Sequence, residues 1–193
     1  MATHTATSAP IHRLTVEDVV AMAEAEILDE HARVELVEGV LVEINPIGAE
    51  HGDTVRTLAE QLTVAVAGRL HVRVQDMLKS SEHGYVLPDV AVIEPIARSE
   101  WPTTALLLVE VSQTSRVRDR EKTALYAALR VSEYWIVDLD AELVTVHRGP
   151  SGPIPREQGR ASFYSSIEEH REGTVAPAID GVPPIALDTL FGR

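Results

Sequence analysis

The chain has no cysteine, few aromatic residues and no long apolar run. None of its 193 residues is Cys, and only 4% are Phe, Trp or Tyr. Disulfides, thiolate metal sites and cysteine nucleophiles are therefore excluded, and no apolar run approaches the roughly 18 residues of a membrane-spanning helix. Because the lack of cysteine is compatible with a reducing compartment, we expect a cytoplasmic protein with no membrane partner.

Basic residues are also scarce, and the formal net charge is −13. This charge argues against a strong non-specific nucleic-acid binder, since such proteins are usually basic. The charge is unevenly spread: residues 61–130 carry 8 acidic and 9 basic side chains, whereas both flanking regions are net negative. An anionic substrate should therefore approach the 61–130 region.

The length and the first residues predict one domain with a short tail. The opening MATHTATSAP has neither a basic start nor an apolar segment, so we do not expect a secretory signal. We predict a disordered tail at residues 1–11 and a single domain at 12–193, which is long enough to bury a real core.

The first third of the chain alternates helix and strand signals. In LTVEDVVAMAEA, Thr15 followed by Asp18 predicts a capped helix at about 15–26. RVELVEGVLVEINP alternates on both sides of Glu38-Gly39 and predicts a β-hairpin. Apolar residues at helical spacing predict a second helix at about 49–67, ended by Gly68.

Most of the remaining segments predict strands. The strand signals are LHVRVQDML, GYVLPDVAVIEP, ALLLVEVS, EYWIVDL and ELVTVHR. A helix is predicted at about 119–130, a turn-rich loop at 149–160, a short strand in TVAPAI and a short helix in ALDTLF. This order predicts an α/β (α+β) fold, with a central mixed β-sheet flanked by helices and an N-terminal helix and β-hairpin.

Two carboxylates are placed in apolar strand segments. Glu110 interrupts ALLLVEVS, and Asp89 follows Pro88 in the preceding strand segment. If these strands are neighbours, alternation points both side chains into the same space, where they repel each other unless a cation joins them. Mg²⁺ suits such a pair, because it prefers carboxylate oxygens and water. Spacing alone leaves open that Asp89 merely starts a strand and that Glu110 pairs with an arginine.

Three more residues are candidates for the same site. Lys122 lies on the following helix, at the border of its apolar face, from where it could present a fixed charge to a phosphate. Glu35 alternates along the first hairpin strand, and His51 begins the second helix, where a histidine could touch a metal-bound water or the substrate. Spacing alone leaves open that Lys122 is a solvated lysine paired with Glu121 or Asp119, that Glu35 is a half-exposed strand residue and that His51 is a surface residue.

The segments that carry these residues resemble a known family. VELVEGVLVEINPIGAEH, LPDVAVIEP and the run from LLLVEVS through YWIVDLDAELVTVHR resemble the Uma-two family of the PD-(D/E)XK nuclease superfamily. The resemblance covers roughly residues 12–192 and implies a restriction-endonuclease-like core. It implies that Asp89 and Glu110 bind Mg²⁺, which Mn²⁺ can replace, and that a lysine positions or activates the attacking water.

One position departs from the superfamily pattern. The usual lysine lies two residues after the glutamate, and Ser112 stands there in this chain. The resemblance places the lysine on the following helix instead, at Lys122. It also matches Glu35 to an acidic position of the first hairpin and His51 to a Glu-His pair of the family. The predicted catalytic set is therefore Asp89, Glu110, Lys122, Glu35 and His51.

Two functions of different classes follow. The first is a Mg²⁺-dependent endonuclease that hydrolyses phosphodiester bonds by metal-activated water. Its expected partner is DNA, and a homodimer is the assembly proposed for it. The alternative is a non-catalytic binding or regulatory module on a nuclease fold, which the charge and Ser112 favour. A hydrolase of small phosphorylated metabolites is a third, weaker hypothesis.

Overall fold

The computed structural model describes residues 11–29, 32–44, 48–112, 116–156 and 159–193, with backbone alone for 116–121, 154–156 and 159–160. Residues 1–10 of the predicted tail lie outside this range. The helices are α1 (Val16–Glu24), α2 (Ala49–Val66), α3 (Arg116–Ala128) and α4 (Leu187–Phe191). The strands are β1 (Val34–Val37), β2 (Val40–Glu43), β3 (His71–Val74), β4 (Leu78–Ser81), β5 (Gly84–Val86), β6 (Val90–Ile93), β7 (Leu107–Ser112), β8 (Glu133–Asp138), β9 (Leu143–Arg156), β10 (Gly159–His170), β11 (Thr174–Val175) and β12 (Ile185–Ala186).

A six-stranded mixed sheet forms the centre, in the order β10-β9-β8-β7-β6-β3. Strands β7 and β8 are parallel, and the other neighbouring pairs are antiparallel. A parallel pair needs a crossover connection, which α3 provides. The predicted central mixed sheet flanked by helices is confirmed.

The N-terminal part of the chain builds a second sheet, in the order β2-β1-β5-β4. Its β1–β2 hairpin turns at Glu38 and Gly39, which both have positive φ, as a tight hairpin turn requires. A Cβ at Gly39 would lie 2.5 Å from Cβ of Arg13, so only glycine fits. The predicted capping box of α1 is present, with Thr15 and Asp18 bonding each other's backbone N–H groups.

Strand alternation divides the core between the two faces of the central sheet. On β7, Val109 and Val111 pack on the side of α2 and α4, where Leu58 and Leu187 are fully buried. Leu108 packs on the opposite side with residues of α3. Glu110 has the parity of Leu108, and its side chain therefore points towards α3.

Two segments differ from the strand pattern of the sequence. The predicted strand around Pro88 is split, with β5 in the four-stranded sheet and β6 in the central sheet, because proline cannot donate to a ladder. The predicted loop at 149–160 is wrong: β9 continues to Arg156 and pairs with β10. Beyond Arg148, β9 no longer pairs with β8 and forms an edge of the sheet, where prolines are tolerated. Residues 157–158 lie outside the described range.

A buried carboxylate attaches the C-terminal segment to the central sheet. Glu133 is 1% exposed and accepts hydrogen bonds from Nε1 of Trp135 at 2.6 Å and Nη2 of Arg148 at 2.7 Å. Its second oxygen accepts the backbone N–H of Ala178 at 2.5 Å. The charge is thus paired and hydrogen-bonded, which burial requires.

None of the helices in the described ranges is long and apolar enough to span a membrane.

Candidate active site

Asp89 and Glu110 lie at the end of the β6–β7 pair. The two strands are antiparallel, with Val90 opposite Val109 as the last pair of the register, and Asp89 and Glu110 are the next residue on each strand. Both side chains are buried, at 5% and 8% exposed. Asp89 repels the Glu110 carboxylate electrostatically, so the two groups lie close together.

The Asp89 carboxylate is held by three donors from different parts of the chain. Oδ2 accepts the backbone N–H of Val111 at 2.9 Å and lies 3.0 Å from Nε2 of His51. Oδ1 accepts a hydrogen bond from Nε2 of Gln75 at 3.1 Å. Gln75 has a φ of +50° at the point where the predicted strand LHVRVQDML breaks into β3 and β4. With both oxygens bonded, the carboxylate has one fixed orientation.

Lys122 joins the two sheets at this site. Its Nζ donates to Oε1 of Glu110 at 3.0 Å and to Oε1 of Glu35 at 3.2 Å. Glu35 lies on β1 in the four-stranded sheet and also accepts the backbone N–H of Leu87 at 3.1 Å. Removing one partner of a buried ion pair leaves an uncompensated charge, so Lys122 and the two glutamates depend on one another.

Tyr126 is a further member of the site. It lies one helical turn after Lys122, is fully buried, and its hydroxyl donates to Oε1 of Glu110 at 2.5 Å. Both hydrogen bonds that Glu110 receives from described residues therefore end on the same oxygen. Behind Tyr126, the ring of Tyr134 makes an edge-on contact at a centroid distance of 4.9 Å.

The charged groups of the cluster shift one another's pKa values. Burial, and then repulsion by Asp89, raise the pKa of Glu110 to about 7, against the opposing attraction of Lys122. Burial opposes the charge of Lys122, but Glu110 and Glu35 outweigh it and raise the pKa of the ammonium. The hydrogen bond to Asp89 raises the pKa of His51. Among the described side chains, the hydrogen bonds and ion pairs of these three carboxylates thus involve one lysine and one histidine as cations.

The structure brings all five predicted residues together. Ser112, where the superfamily pattern has lysine, is buried two residues beyond Glu110, while the Lys122 amine reaches Glu110 from α3. Gln75 and Tyr126 were not predicted. The i, i+4 spacing from Lys122 could have indicated Tyr126, whereas no sequence signal marks Gln75, which reaches Asp89 through a backbone break.

Known structures and families agree with this architecture. The crystal structure of "a putative nuclease belonging to DUF820" from Anabaena variabilis ATCC 29413 matches with a TM-score of 0.69 and 14% identity, over 95% of this chain and 98% of that one. This chain therefore shares the fold of that protein. A family model described as "Putative restriction endonuclease" matches residues 16–171, and the chain belongs to this family, Uma2. No curated protein matches the chain.

Proposed function

We propose that the protein is a Mg²⁺-dependent nuclease that hydrolyses phosphodiester bonds in DNA. The observation that carries the proposal is the buried cluster of Asp89, Glu110, Glu35 and Lys122 on the nuclease fold of its family. An ion pair network that served stability alone would gain little from burying three carboxylates around one lysine, because desolvation offsets the attraction.

The residues fit a magnesium ion. Its ligands would be the carboxylates of Asp89 and Glu110, and Mg²⁺ usually takes one or two carboxylates and keeps several waters. Among the described residues, no group of three or more His, Asp or Glu side chains is arranged for a metal, which disfavours a site for an ion held entirely by protein ligands. When bound, Mg²⁺ or Mn²⁺ would polarise a phosphoryl oxygen and make a bound water more acidic.

The remaining side chains act on the phosphate and on the carboxylates. Lys122 keeps its proton, so its ammonium can stabilise negative charge that develops on the phosphate or orient the attacking water. Glu35 holds Lys122 from the opposite sheet, and His51 holds Asp89. In this proposal, Lys122 performs the role of the lysine that the superfamily pattern has at the position of Ser112.

Cleavage of supercoiled plasmid DNA with Mg²⁺ or Mn²⁺ tests this function. We expect wild-type protein to nick the plasmid, and Asp89→Asn, Glu110→Gln and Lys122→Met each to lower the rate by about 100-fold or more. Glu168→Gln, an exposed carboxylate on β10, is the matched control and should nick like wild type. Unchanged nicking by Glu110→Gln would remove the site assignment.

The alternative, a binding or regulatory module without catalysis, is supported by the net charge of −13. Isothermal titration of the folded protein with Mg²⁺ and Mn²⁺ tests it: no binding of either ion would support the module, whereas binding that Asp89→Asn and Glu110→Gln abolish would support the metal site of the nuclease. The predicted homodimer is tested by light scattering at the protein concentration used for cleavage.

A further inference from the structure

A cavity of about 510 Å³ opens beside the candidate site. It lies between the four-stranded sheet and α3, and two of its lining residues, Glu35 and Lys122, belong to the site itself. Whatever occupies this cavity is therefore adjacent to a phosphate held by Lys122. Small-molecule sites in proteins have volumes of about 300–1,000 Å³, so the cavity has room for one nucleoside but not for a duplex.

The cavity lining suits a nucleobase. Its walls are largely aliphatic, with Val37, Val42 and Val86 from the sheet and Leu125 from α3. Aliphatic walls match the flat faces of a base, which carry no hydrogen-bonding groups. The hydroxyl of Ser80 and the carboxylate of Glu35 provide polar groups for the edge of a base.

Other features of the molecule also favour recognition of a single base. A net charge of −13 opposes an extended track of phosphate contacts on a duplex. Among the exposed large apolar side chains of the described residues, Trp101 is the sole aromatic one, so no platform for stacking successive bases is formed there. Trp101 lines a different cavity, away from Lys122 and Glu35.

We propose that this cavity binds the base of an unpaired nucleotide next to the scissile phosphate. The substrate class is then a single strand, or a duplex with at least one unpaired nucleotide, because a base inside a duplex would first have to leave its stack. This inference rests on the proposed nuclease function and names the substrate of the same site.

Oligonucleotides of one sequence test the proposal with the wild-type protein and Mn²⁺. We expect the single strand, and a duplex with one bulged nucleotide, to be cut about tenfold faster or more than the fully paired duplex. In a second series, an abasic residue replaces each nucleotide of the single strand in turn. One position beside the cut should lose about tenfold in rate when its base is removed.

A cavity-filling variant links this effect to the cavity. Val42→Phe places a ring among the lining side chains, and Val64→Phe, on the exposed face of α2, is the matched control. Val42→Phe should cut the intact strand as slowly as the wild-type protein cuts the abasic strand. On the abasic strand, Val42→Phe and the wild-type protein should cut at the same rate. Because Val42 is opposite Glu35 on the hairpin, a loss on both strands would instead indicate damage to the site.

The outcomes separate this inference from the function on which it rests. Equal rates on paired and unpaired DNA, or abasic substitutions without effect at any position, would overturn the cavity assignment and leave the nuclease intact. If no DNA is cut, the proposed function fails. Binding of dAMP and dTMP to the protein then tests whether the cavity accepts a base. Amide NMR shifts at the lining residues that Val42→Phe abolishes would support it, and an absence of shifts would overturn it. If Val42→Phe does not fold, the abasic series decides alone.

Discussion

The hydroxyl of Tyr126 is the most direct support of the Glu110 side chain. Tyr126→Phe deletes only this donor, and we expect cleavage to fall by about tenfold because Glu110 loses its fixed orientation. Stability should fall by about 2 kcal/mol, as for a buried hydrogen bond to a charged acceptor. Cleavage rates at saturating and limiting Mn²⁺, with urea unfolding, measure both effects.

Tyr164→Phe is the control for that variant. The Tyr164 hydroxyl is also buried, but it donates to the backbone oxygen of Val131 at 3.0 Å, away from the carboxylates. It should lose about 1 kcal/mol of stability and keep its cleavage rate. If both variants lost activity in proportion to stability, Tyr126 would have no positioning role.

The raised pKa of Glu110 predicts a pH dependence of stability in the metal-free protein. Since the pKa lies at about 7 in the folded protein and at 4.5 without burial, the folded state binds more protons between these values. Stability therefore falls as pH rises through this window, by about 3 kcal/mol. Urea unfolding in EDTA at several pH values should show a flatter profile for Glu110→Gln and an unchanged one for Glu168→Gln. Parallel profiles for wild type and Glu110→Gln would contradict the shift.

At the level of single residues, the sequence indicated members of the candidate site where spacing carries information. Asp89 and Glu110 follow from strand alternation, since adjacent strands with matching parity must direct both side chains to one face. Lys122 and His51 needed the family resemblance, because a helix border or first turn is compatible with many roles. Gln75 could not be predicted, since it contacts Asp89 only through a backbone break with positive φ.

Among the structural elements, the C-terminal segment depends on Glu133. Glu133→Gln replaces an acceptor with a donor that faces Trp135, Arg148 and the Ala178 N–H, and we expect a loss of about 3 kcal/mol. Glu168→Gln is the control on the same arginine, because this half-exposed carboxylate lies 3.4 Å from Arg148 and should contribute less than about 1 kcal/mol. Urea unfolding measures both. Equal effects of the two variants would show that Glu133 does not attach the segment.

Local elements were predicted better than their pairing. The capping box of α1 and the Glu38-Gly39 hairpin are short-range signals, and both are confirmed. The division of the strands into two sheets follows from contacts between distant segments, as when β5 joins β1 rather than β6. The long β9–β10 hairpin was missed because its prolines indicate a loop unless the strand is known to be an edge.

The charge of the whole molecule predicts a weak dependence of DNA binding on salt. Few cations are available to replace counterions, because the chain has 17 Lys and Arg against 30 Asp and Glu. With about three phosphate contacts on a single strand, the slope of log K against log salt should be about −2. Fluorescence anisotropy of a labelled oligonucleotide in EDTA measures it. A slope steeper than about −5 would indicate an extended phosphate track.

The contact between Lys122 and Glu35 also determines when the site can form during folding. The two residues are 87 positions apart, so their ion pair closes a long loop and joins two sheets. Closing such a loop costs chain entropy before any contact compensates for it, and contacts of this range form slowly. We therefore expect the complete cluster to form late in folding: before the two sheets dock, Lys122 can already contact Glu110, 12 positions away, but Glu35 has no contact with the lysine.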